Sequence, residues 1–479
     1  MPTKADVVVI GAGMAGMCTA MLCLDEGASV VVLDARQVAA RTTGHSTAKL
    51  TALHGLTYGS LARGKGAQDA GRYAAANVEA MRRVRELVSR FDITCGLTDA
   101  TAYTCAGTPE GIPALEAEAA AARAAGLPVE FVTSTELPLH VEQAIALPMQ
   151  AQLDPLAFCR GLAEQMTQRG AHIIEDARVT AVDEDRGGCT VSGDGFKISC
   201  DAAVITTHLP IVDPSLLAAR VRPERSYVVA GPTHAAMPEG MYISHDAGWS
   251  IRAAHTSAGP MLLVGGEGHP MTDHVEGTEH YARLSEFARD ELGVDVQYRW
   301  SAFDYTTSDG VPFIGRLALS SERRYVATGF HKWGMTTSMV SAMIISDRIA
   351  GRYNPYSATF DSTRILPTLS CDFVRNSAKV VSRFVGDRIA VRLRADSDDS
   401  LSAGEGQVVR RNGETVALAR DLDGNLHQLK ATCTHLGCIV GFNQAEQTWD
   451  CPCHGSRFSL DGSVLDGPAT AALMPLDAE

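Results

Sequence analysis

The sequence predicts an α/β and α+β fold, with a parallel sheet at the amino end, an antiparallel sheet in the middle and a small all-β module at the carboxy end. Three observations predict it. A strand leads into a glycine-rich turn near the amino end, alternating apolar strands occupy residues 225–295, and alternating strands with paired Cys and His residues close the chain. A strand–turn–helix–strand order indicates a parallel sheet, and alternation indicates strands buried on one face.

The amino end is predicted to form a strand, a helix and a second strand. Residues 5–10 are an apolar run of strand length, and residues 14 to about 26 are predicted to be helical. Residues 29–33 form the next strand, which ends at Asp34. This is the order in which a glycine-rich turn binds a dinucleotide.

Three glycines and one acid occupy the positions that such a site requires. Gly11 permits the tight turn, Gly13 lets backbone amides approach a pyrophosphate, and Gly16 lets the helix pack on the strand. Asp34 stands where a carboxylate binds a ribose hydroxyl. The pattern therefore predicts a dinucleotide site, the alternative being a glycine-rich turn in an ordinary α/β unit.

Later segments decide between FAD and NAD. These segments are residues 41–50, 178–183, 203–208, 300–315 and 325–336. They resemble segments of the D-amino-acid oxidase and glycine oxidase superfamily, and they follow one another in the same order as in that superfamily. The resemblance implies a Rossmann-type FAD-binding domain with an antiparallel-sheet substrate domain. The FAD contacts that it implies are Gly11, Gly13, Met14, Ala15, Gly16, Asp34, Ala35, Arg36, Arg41, Thr42, Thr43, His45, Ser46, Val179, Thr206, Gly329, Lys332, Trp333, Gly334, Met335 and Thr336.

One helix in this family has an electrostatic role. The resemblance implies that a helix beginning at about Thr337 points its amino end at the flavin pyrimidine. Free N–H groups and the helix dipole there would stabilise negative charge on reduced flavin. A second nucleotide unit for NAD(P)H is not evident, because Pro270 prevents a helix after the glycine-rich residues 265–268.

The carboxy-terminal motif pairs cysteine with histidine twice. Cys433-Thr-His435 is followed by Cys451-Pro-Cys-His454. The motif resembles the Rieske family, in which two thiolates hold one iron of a [2Fe–2S] cluster and two imidazoles hold the other. The resemblance implies that the cluster ligands are Cys433, His435, Cys451 and His454. It also implies a disulfide between Cys438 and Cys453. Zinc is the alternative, although zinc ligands usually come as two short clips and here each clip mixes one Cys with one His.

Three further positions bear on the cluster. Ser456 resembles the family serine whose hydroxyl donates a hydrogen bond to a cluster sulfur. Phe458 stands where respiratory-chain Rieske proteins carry a tyrosine, so the potential is predicted to lie below the respiratory value and above that of plant-type ferredoxins (about −400 mV). Residues 467–469 resemble the proline loop that covers the cluster, so electrons are expected to pass through His435 or His454.

These anchors predict three regions: a FAD-dependent oxidoreductase at residues 1–365, a connector at 366–386 and a Rieske domain at 387–479. The length agrees, since 479 residues suggest about three domains. Two lobes are expected to alternate along the oxidoreductase, with FAD-binding segments at about 1–80, 150–215 and 300–360 and substrate-domain segments at about 81–149 and 216–299.

Composition and charge exclude several classes of protein. With 45% apolar and 20% charged residues the chain is globular, and a net charge of −14 argues against nucleic acid and anionic membranes as partners. No apolar run reaches the roughly 18–20 residues of a membrane span, and the first strand begins too early to leave room for a signal peptide. We therefore expect a cytoplasmic protein of undetermined oligomeric state. The eight cysteines outside the motif show no paired spacing and are expected to be free and buried.

The two cofactors together predict the chemistry. Flavin accepts two electrons as a hydride, which suits dehydrogenation of a C–N bond in an amine or amino-acid-like substrate, whereas the cluster carries one electron. The expected enzyme passes substrate electrons through FAD to the cluster, and an external electron acceptor or donor protein is the expected partner. The identity of the substrate cannot be read from these motifs.

Individual catalytic residues are less clearly indicated. His45 lies in a context similar to the dimethylglycine and sarcosine dehydrogenase branch, where a histidine bonds covalently to flavin, and the alternative is a histidine packed near the ring. Lys332 is expected over the flavin or in a solvated loop. Arg252 is expected either to clamp a substrate carboxylate or to pair at the surface. Possible bases, each with an ordinary structural role as the alternative, are His208, His245, His269 and His331.

Three other functions compete with this interpretation. A Rieske oxygenase needs a mononuclear iron on two His and a carboxylate, and no such pattern stands out. An electron-transfer flavo-iron-sulfur protein without its own substrate and a peroxide-producing amine oxidase both remain open at the level of sequence.

Overall fold

The structure, a computed structural model, describes residues 1–256, 258–273, 277–364 and 401–476. The expected connector at 366–386 and the start of the carboxy-terminal domain at 387–400 lie outside the described residues, as does Cys371.

Before residue 365 the elements are, in chain order, β1 Lys4–Ile10, α1 Met14–Asp25, β2 Val30–Leu33, β3 Lys49–Leu50, α2 Thr57–Gly64, α3 Ala67–Phe91, β4 Thr98–Ala106, α4 Ile112–Ala124, β5 Glu130–Val132, β6 Gln143–Gln152, α5 Pro155–Gln168, β7 His172–Ile174, β8 Val179–Asp185, β9 Gly188–Gly193, β10 Phe196–Ile205, β11 Val221–Gly231, β12 Met241–Ser244, β13 Ser250–Thr256, β14 Gly259–Pro270, α6 Gly277–Leu292, β15 Tyr298–Thr307, β16 Phe313–Arg316, β17 Arg324–Thr328, α7 Gly334–Ile349 and α8 Ser357–Phe360.

The first sheet is the parallel sheet that the amino-terminal pattern predicts. Its parallel strands run in the order β17-β10-β1-β2-β7, with β16 antiparallel at the edge and β9 and β8 extending from β10. β1 is central, and Val8 pairs with Val31 on one side and Ala203 on the other. A strand that is buried on both faces usually has a continuous run of apolar residues, and residues 7–10 form such a run.

Helices cover one face of this sheet. α1, α3 and α7 pack together there, and residues 335–346 of α7 are buried all round. A helix that is buried on every side forms part of a core, and the Ser and Thr side chains in this stretch are small enough to pack there. α7 begins at Gly334, three residues before the expected position, and its amino end faces the junction of the two sheets.

The second sheet has the strand order β15-β11-β14-β13-β12-β4-β6-β3, with β5 also on β6, and α6 packs against β11 and β14. Its pairs are antiparallel except for β4 with β12. That parallel pair departs from the purely antiparallel expectation, because β4 and β12 belong to segments separated by a passage through the first sheet and no hairpin joins them.

The described part of the carboxy-terminal module is all β, as predicted. Its strands form two small sheets, β18-β19-β20 and β21-β22-β23-β24, around a core that includes Trp449 and Phe458. The strands are β18 Gly406–Arg411, β19 Glu414–Arg420, β20 Leu426–Lys430, β21 Gly441–Asn443, β22 Thr448–Asp450, β23 Arg457–Phe458 and β24 Val464–Asp466.

Candidate flavin and cluster sites

A cavity of about 840 Å³ lies where the carboxyl ends of the parallel strands meet the second sheet. Most of the predicted FAD contacts line it, from the turn after β1, the loop after β2, and the loop before α7. Three do not: Gly16, Gly329 and Thr336 lie behind the wall. The hydroxyl of Thr336 donates instead to the carbonyl of Thr51 at 3.1 Å, so its role is to hold the wall together.

The turn after β1 leaves its backbone open to a ligand. Gly11 has φ +107°, and a Cβ there would lie 2.7 Å from the carbonyl oxygen of Thr206. A Cβ on Gly16 would lie 1.8 Å from the carbonyl oxygen of Gly11, so only glycine lets the helix start this close to the strand. A Cβ on Gly13 would lie 3.0 Å from Oγ1 of Thr43. These contacts fit the close backbone approach that a pyrophosphate needs.

Asp34 closes the same turn. Its Oδ2 accepts from the backbone N–H of Ala12 at 2.7 Å and its Oδ1 from that of Arg36 at 2.8 Å. Burial raises the pKa of this carboxyl against the lowering effect of those two N–H groups. The carboxylate lines the cavity at the carboxyl end of β2, as expected for a group that binds a ribose hydroxyl.

His45 lies in the cavity wall and is half-buried. Its Nδ1 is 2.9 Å from the carbonyl oxygen of Arg41, and its own carbonyl accepts from Nε1 of Trp300 at 2.8 Å. The ring is therefore held at the cavity with Nε2 as its remaining nitrogen. This position is compatible with both alternatives, the covalent bond and simple packing.

Lys332 also reaches the cavity. Its backbone takes the left-handed conformation, with φ +65°, and its N–H donates to Oδ2 of Asp304 at 2.5 Å. The ammonium lies 3.3 Å from Oε2 of Glu224, and its side chain is 41% exposed. Beside it, Trp333 stacks on His54 with ring centroids 4.4 Å apart, which fixes the loop immediately before α7.

Arg252 fits neither role expected for it. It is 6% exposed and does not line the cavity. Its guanidinium donates to the carbonyls of Thr47 and Ala253 and to Oε1 of Gln152. Because those donors are directed at oxygens of the surrounding core, both the substrate clamp and the surface pair are wrong, and Arg252 fastens β13 to the segment before β3.

Lys49 is a site residue that the sequence did not reveal. It lines the cavity and is 8% exposed, and its Nζ donates to Oγ of Ser250. Burial, together with the nearby charge of Arg252, lowers the pKa of Lys49 to about 7. It lies within the segment 41–50 that resembles the oxidase superfamily, but no neighbouring residue in the sequence indicates that β3 places this lysine in the interior.

His208, a possible base by sequence, pairs with Asp304, which no sequence motif indicates. Its Nε2 lies 2.8 Å from Oδ1 of Asp304, and its Nδ1 lies 3.4 Å from Oγ1 of Thr42. The ring packs against Phe303 and Tyr305, with centroids 5.2 and 4.6 Å away. The other three histidines have different surroundings: His245 and His331 line the cavity, whereas His269 stacks on His280 outside it.

The cluster motif forms two facing loops. Cys433 and Cys451 are buried, and the hydrogen bond between their thiols lowers the pKa of Cys433. The rings of His435 and His454 are perpendicular with centroids 5.0 Å apart, and both Nδ1 atoms are buried without a hydrogen-bond partner. Two thiols in contact and two unpaired imidazole nitrogens on facing loops fit a [2Fe–2S] cluster held by two Cys and two His.

A disulfide joins the two loops between Cys438 and Cys453. The sulfur of Cys451 lies within 4.8 Å of both of these sulfurs. Because two of the three sulfurs are already bonded to each other, this group does not form a zinc site. The hydroxyl of Ser456 hydrogen-bonds to the thiol of Cys433, the contact expected of the family serine.

The loop at residues 465–470, which contains the cis peptide Gly467-Pro468, forms part of the flavin cavity wall. The carbonyl of Val464 accepts from the guanidinium groups of Arg36 at 3.0 Å and Arg178 at 3.1 Å. Arg41 lies 3.4 Å from Asp466. The carboxy-terminal module therefore completes the cavity near the end where the dinucleotide is expected.

A buried ionic network holds the two modules together. Arg225 of β11 lies 2.5 Å from Asp450 at the end of β22, and Arg457 contacts the same carboxylate at 3.2 Å and also Glu446. Burial opposes ionisation of Asp450, but the two guanidinium groups outweigh it and hold the pKa of this carboxyl well below its usual range. Tyr281 adds a hydrogen bond to Glu446 at 3.0 Å.

Comparison with known proteins decides the family. The family model described as FAD dependent oxidoreductase matches residues 6–348, and the model described as Rieske [2Fe-2S] domain matches residues 392–476. The chain belongs to the FAD-dependent oxidoreductase family and carries a Rieske domain. It is an oxidoreductase whose cofactors are FAD and a [2Fe–2S] cluster.

Individual relatives agree with the family. YhfW of Bacillus subtilis, which is named as a Rieske 2Fe-2S iron-sulfur protein, is 33% identical over 483 residues, covering 100% of this chain and 94% of YhfW. Glycine oxidase from Geobacillus kaustophilus superposes with a TM-score of 0.64 at 18% identity, over 76% of this chain and 99% of that one. L-proline dehydrogenase from P. horikoshii has a TM-score of 0.62 at 18% identity, over 76% and 98%. At these identities the two solved structures establish the fold alone.

Among the described residues, no helix combines the length and the apolar character that crossing a bilayer requires.

Proposed function

We propose that this oxidoreductase dehydrogenates a C–N bond of an amine or amino-acid-like substrate and passes the electrons from FAD to its own Rieske cluster. The observation that carries the proposal is the shared wall: residues 465–470 of the Rieske domain line the same cavity as the turn after β1 and the loop before α7. An oxidase that gives its electrons directly to oxygen has no need of a cluster at that wall.

The proposed cofactor ligands follow from the site. The turn at residues 11–15 would hold the pyrophosphate of FAD, Asp34 the ribose, and residues 41–46 and 332–335 the remainder. The cluster would be held by Cys433, His435, Cys451 and His454. When bound, FAD supplies a two-electron acceptor and the cluster supplies a one-electron carrier.

The far side of the cavity would receive the substrate. Its wall there comes from the second sheet and includes Ser244, Trp249 and Ser250 with the buried amine of Lys49. Among the described residues no carboxylate pairs with Lys49, so a negative group in the cavity would be its natural partner. The names of the similar solved structures, glycine oxidase and L-proline dehydrogenase, support an amino-acid-like substrate.

The electrons balance through an external acceptor. Loss of a hydride from carbon and a proton from nitrogen leaves an imine and two electrons in the flavoprotein. The bound cluster would accept these electrons one at a time, and the protons would return to solvent. A one-electron acceptor protein must reoxidise the cluster after each transfer, and such a protein is the proposed partner.

The test is an anaerobic screen of amines and amino acids with two readouts, flavin absorbance and the paramagnetic signal of the reduced cluster. We expect a true substrate to bleach the flavin and produce the cluster signal. A Cys433→Ser variant, which lacks one ligand, should still bleach the flavin without the signal. Flavin that no amine reduces would contradict the dehydrogenase, and rapid peroxide formation by the cluster-free variant and the wild type alike would favour an oxidase.

Acid precipitation separates the two arrangements of His45. Flavin that remains with the precipitated chain, and is released in a His45→Ala variant, indicates a covalent bond. Flavin in the supernatant indicates packing alone.

A further inference from the structure

Three aromatic side chains stand between the flavin cavity and the cluster. Phe303 and Tyr305 are two residues apart on β15, so both project from the same face of the strand, and His208 follows β10. Phe303 and His208 line the cavity, whereas Tyr305 lies behind them and is 1% exposed. The ring of His208 is 4.6 Å from that of Tyr305, centroid to centroid, and meets it edge to face.

Tyr305 touches a residue proposed to bind the cluster. Its hydroxyl donates to the backbone carbonyl of His454 at 2.6 Å. The next residue, Gly455, has φ +77°, and a Cβ there would lie 2.9 Å from Cε2 of Phe303 and 3.3 Å from Oη of Tyr305. The cluster loop therefore approaches the aromatic group as closely as its backbone allows.

The two histidines of the cluster differ in their surroundings. His454 is 8% exposed and packs beside the aromatic group, whereas His435 is half-buried and is followed by Leu436, which is 59% exposed. His454 is therefore the more deeply buried of the two, and its backbone is the one that accepts a hydrogen bond from Tyr305. An electron that leaves the cavity wall reaches His454 through contacts in van der Waals range and one hydrogen bond.

We propose that His208 and Tyr305 form the bridge along which electrons pass between the flavin cavity and His454, with the Tyr305 hydroxyl as the coupling contact. The inference rests on the proposed function, because it concerns electron flow between the same two cofactors. Each transfer takes one electron from reduced flavin and reduces one ferric ion to ferrous, with no change at the tyrosine. Tyr305 acts through His454 and is a positioning residue in this scheme.

The structure offers a rival route through the loop at 465–470. Ala469 lines the cavity, and its N–H donates to Oγ of Ser456 at 3.1 Å, which in turn contacts Cys433. That route ends on a cysteine ligand and does not involve Tyr305. Removing the Tyr305 hydroxyl therefore distinguishes the two.

The test compares Tyr305→Phe with Tyr281→Phe in the holoenzyme. Both changes remove one buried hydroxyl that donates across the same interface, to His454 in one case and to Oε1 of Glu446 in the other. Laser excitation of the bound FAD with triethanolamine as sacrificial donor reduces the flavin without a substrate. The rise of the reduced-cluster signal then gives the rate of electron transfer.

We expect Tyr305→Phe to slow this rate several-fold and to shift the cluster's midpoint potential to a lower value, because the positive end of the hydroxyl dipole no longer faces a ligand residue. Tyr281→Phe should change neither quantity. Equal rates in both variants and the wild type would overturn the bridge in favour of the loop route. Equal slowing in both variants without a change in potential would also overturn it, because the hydroxyl would then serve only docking. A wild-type cluster that stays oxidised while its flavin is reduced would instead refute the proposed function itself.

Discussion

Gly16 leaves no room for a side chain, because a Cβ there would lie 1.8 Å from the carbonyl oxygen of Gly11. We expect Gly16→Ala to force α1 away from β1, to lower the free energy of unfolding by more than about 1 kcal/mol and to abolish FAD binding. Gly71→Ala is the matched control, since it also lies in a helix and its Cβ would meet nothing within 4 Å. That control should stabilise the protein by about 0.5–1 kcal/mol. Flavin content and thermal unfolding measure both effects.

Lys49 should impose a pH dependence on stability. Its pKa is lowered from 10.5 to about 7, so between these values the unfolded chain binds a proton that the folded chain does not. The free energy of unfolding should therefore rise with pH across this range, by at most about 1.4 kcal/mol per pH unit from this group. Lys49→Met, which retains the packing volume, should be more stable than the wild type at pH 7 and lose that advantage towards pH 10. A variant less stable than the wild type at pH 7 would contradict the prediction.

Ser456 should set the cluster's potential. Its hydroxyl donates towards the Cys433 sulfur, and this bond is stronger when the cluster is reduced and carries more negative charge. We expect Ser456→Ala to lower the midpoint potential, on the order of tens of millivolts, in protein-film voltammetry. Ser463→Ala, which changes an exposed serine of the same domain, should leave the potential unchanged.

Phe458→Tyr should raise the midpoint potential, because it restores the hydroxyl that respiratory-chain Rieske proteins carry at this position.

At the scale of elements, β11 and β22 meet through a buried ion pair. Arg225 and Asp450 are both within the interface, and Arg457 is the second partner of that carboxylate. Arg225→Met should lower the free energy of unfolding by up to about 3–5 kcal/mol, because it leaves a buried carboxylate with Arg457 as its one charged partner. Arg82→Met, which removes a half-exposed pair on α3, should cost about 1 kcal/mol or less. Calorimetry of the two variants measures the difference.

The same pair predicts acid sensitivity. The pKa of Asp450 is held below its usual range in the folded chain, so its contribution to stability is present above the pKa of the unfolded carboxyl and is lost as pH falls. Arg225→Met should therefore lose less stability than the wild type between pH 7 and pH 3.

Local patterns explain why some elements could be predicted and others could not. The turn at Gly11 and the cluster loops depend on residues close together in the chain, so spacing alone revealed them. Other features depend on which strands become neighbours. These are the position of Lys49 in the cavity wall, the core position of Arg252 and the His208–Asp304 pair. Asp304 and His208 are on β15 and just after β10, in different sheets, and no periodicity within either segment records their meeting.

At the scale of the whole molecule, the family and both cofactors could be inferred from motifs, but the arrangement of the modules could not. No motif indicates that Val464 accepts from Arg36 and Arg178, since the partners are separated by most of the chain. The fold of each module depends on its own apolar core, which the sequence pattern reveals. The interface depends on complementarity between two polar surfaces, and polar residues in a sequence do not indicate their partners.

If the proposed function holds, this arrangement makes the electron transfer from flavin to cluster intramolecular. We expect the rate of cluster reduction by flavin to be first order and unchanged by dilution, because both sites belong to one chain and a buried network holds them together. Raising the ionic strength should change it little, since buried pairs are weakly screened. A rate that rises in proportion to protein concentration would show instead that electrons cross between molecules. Stopped-flow or flash kinetics over a range of concentrations provides the measurement.

The loop at residues 465–470 has a consequence for how the holoenzyme is made. The dinucleotide-binding turn is synthesised long before this loop, so the cavity wall cannot be complete until residues 465–470 have been made. We expect the dinucleotide-binding turn to be accessible to FAD until this stretch seats against Arg36 and Arg178. A chain truncated ahead of residue 464 lacks this part of the wall and should therefore release its flavin faster than the chain that contains it.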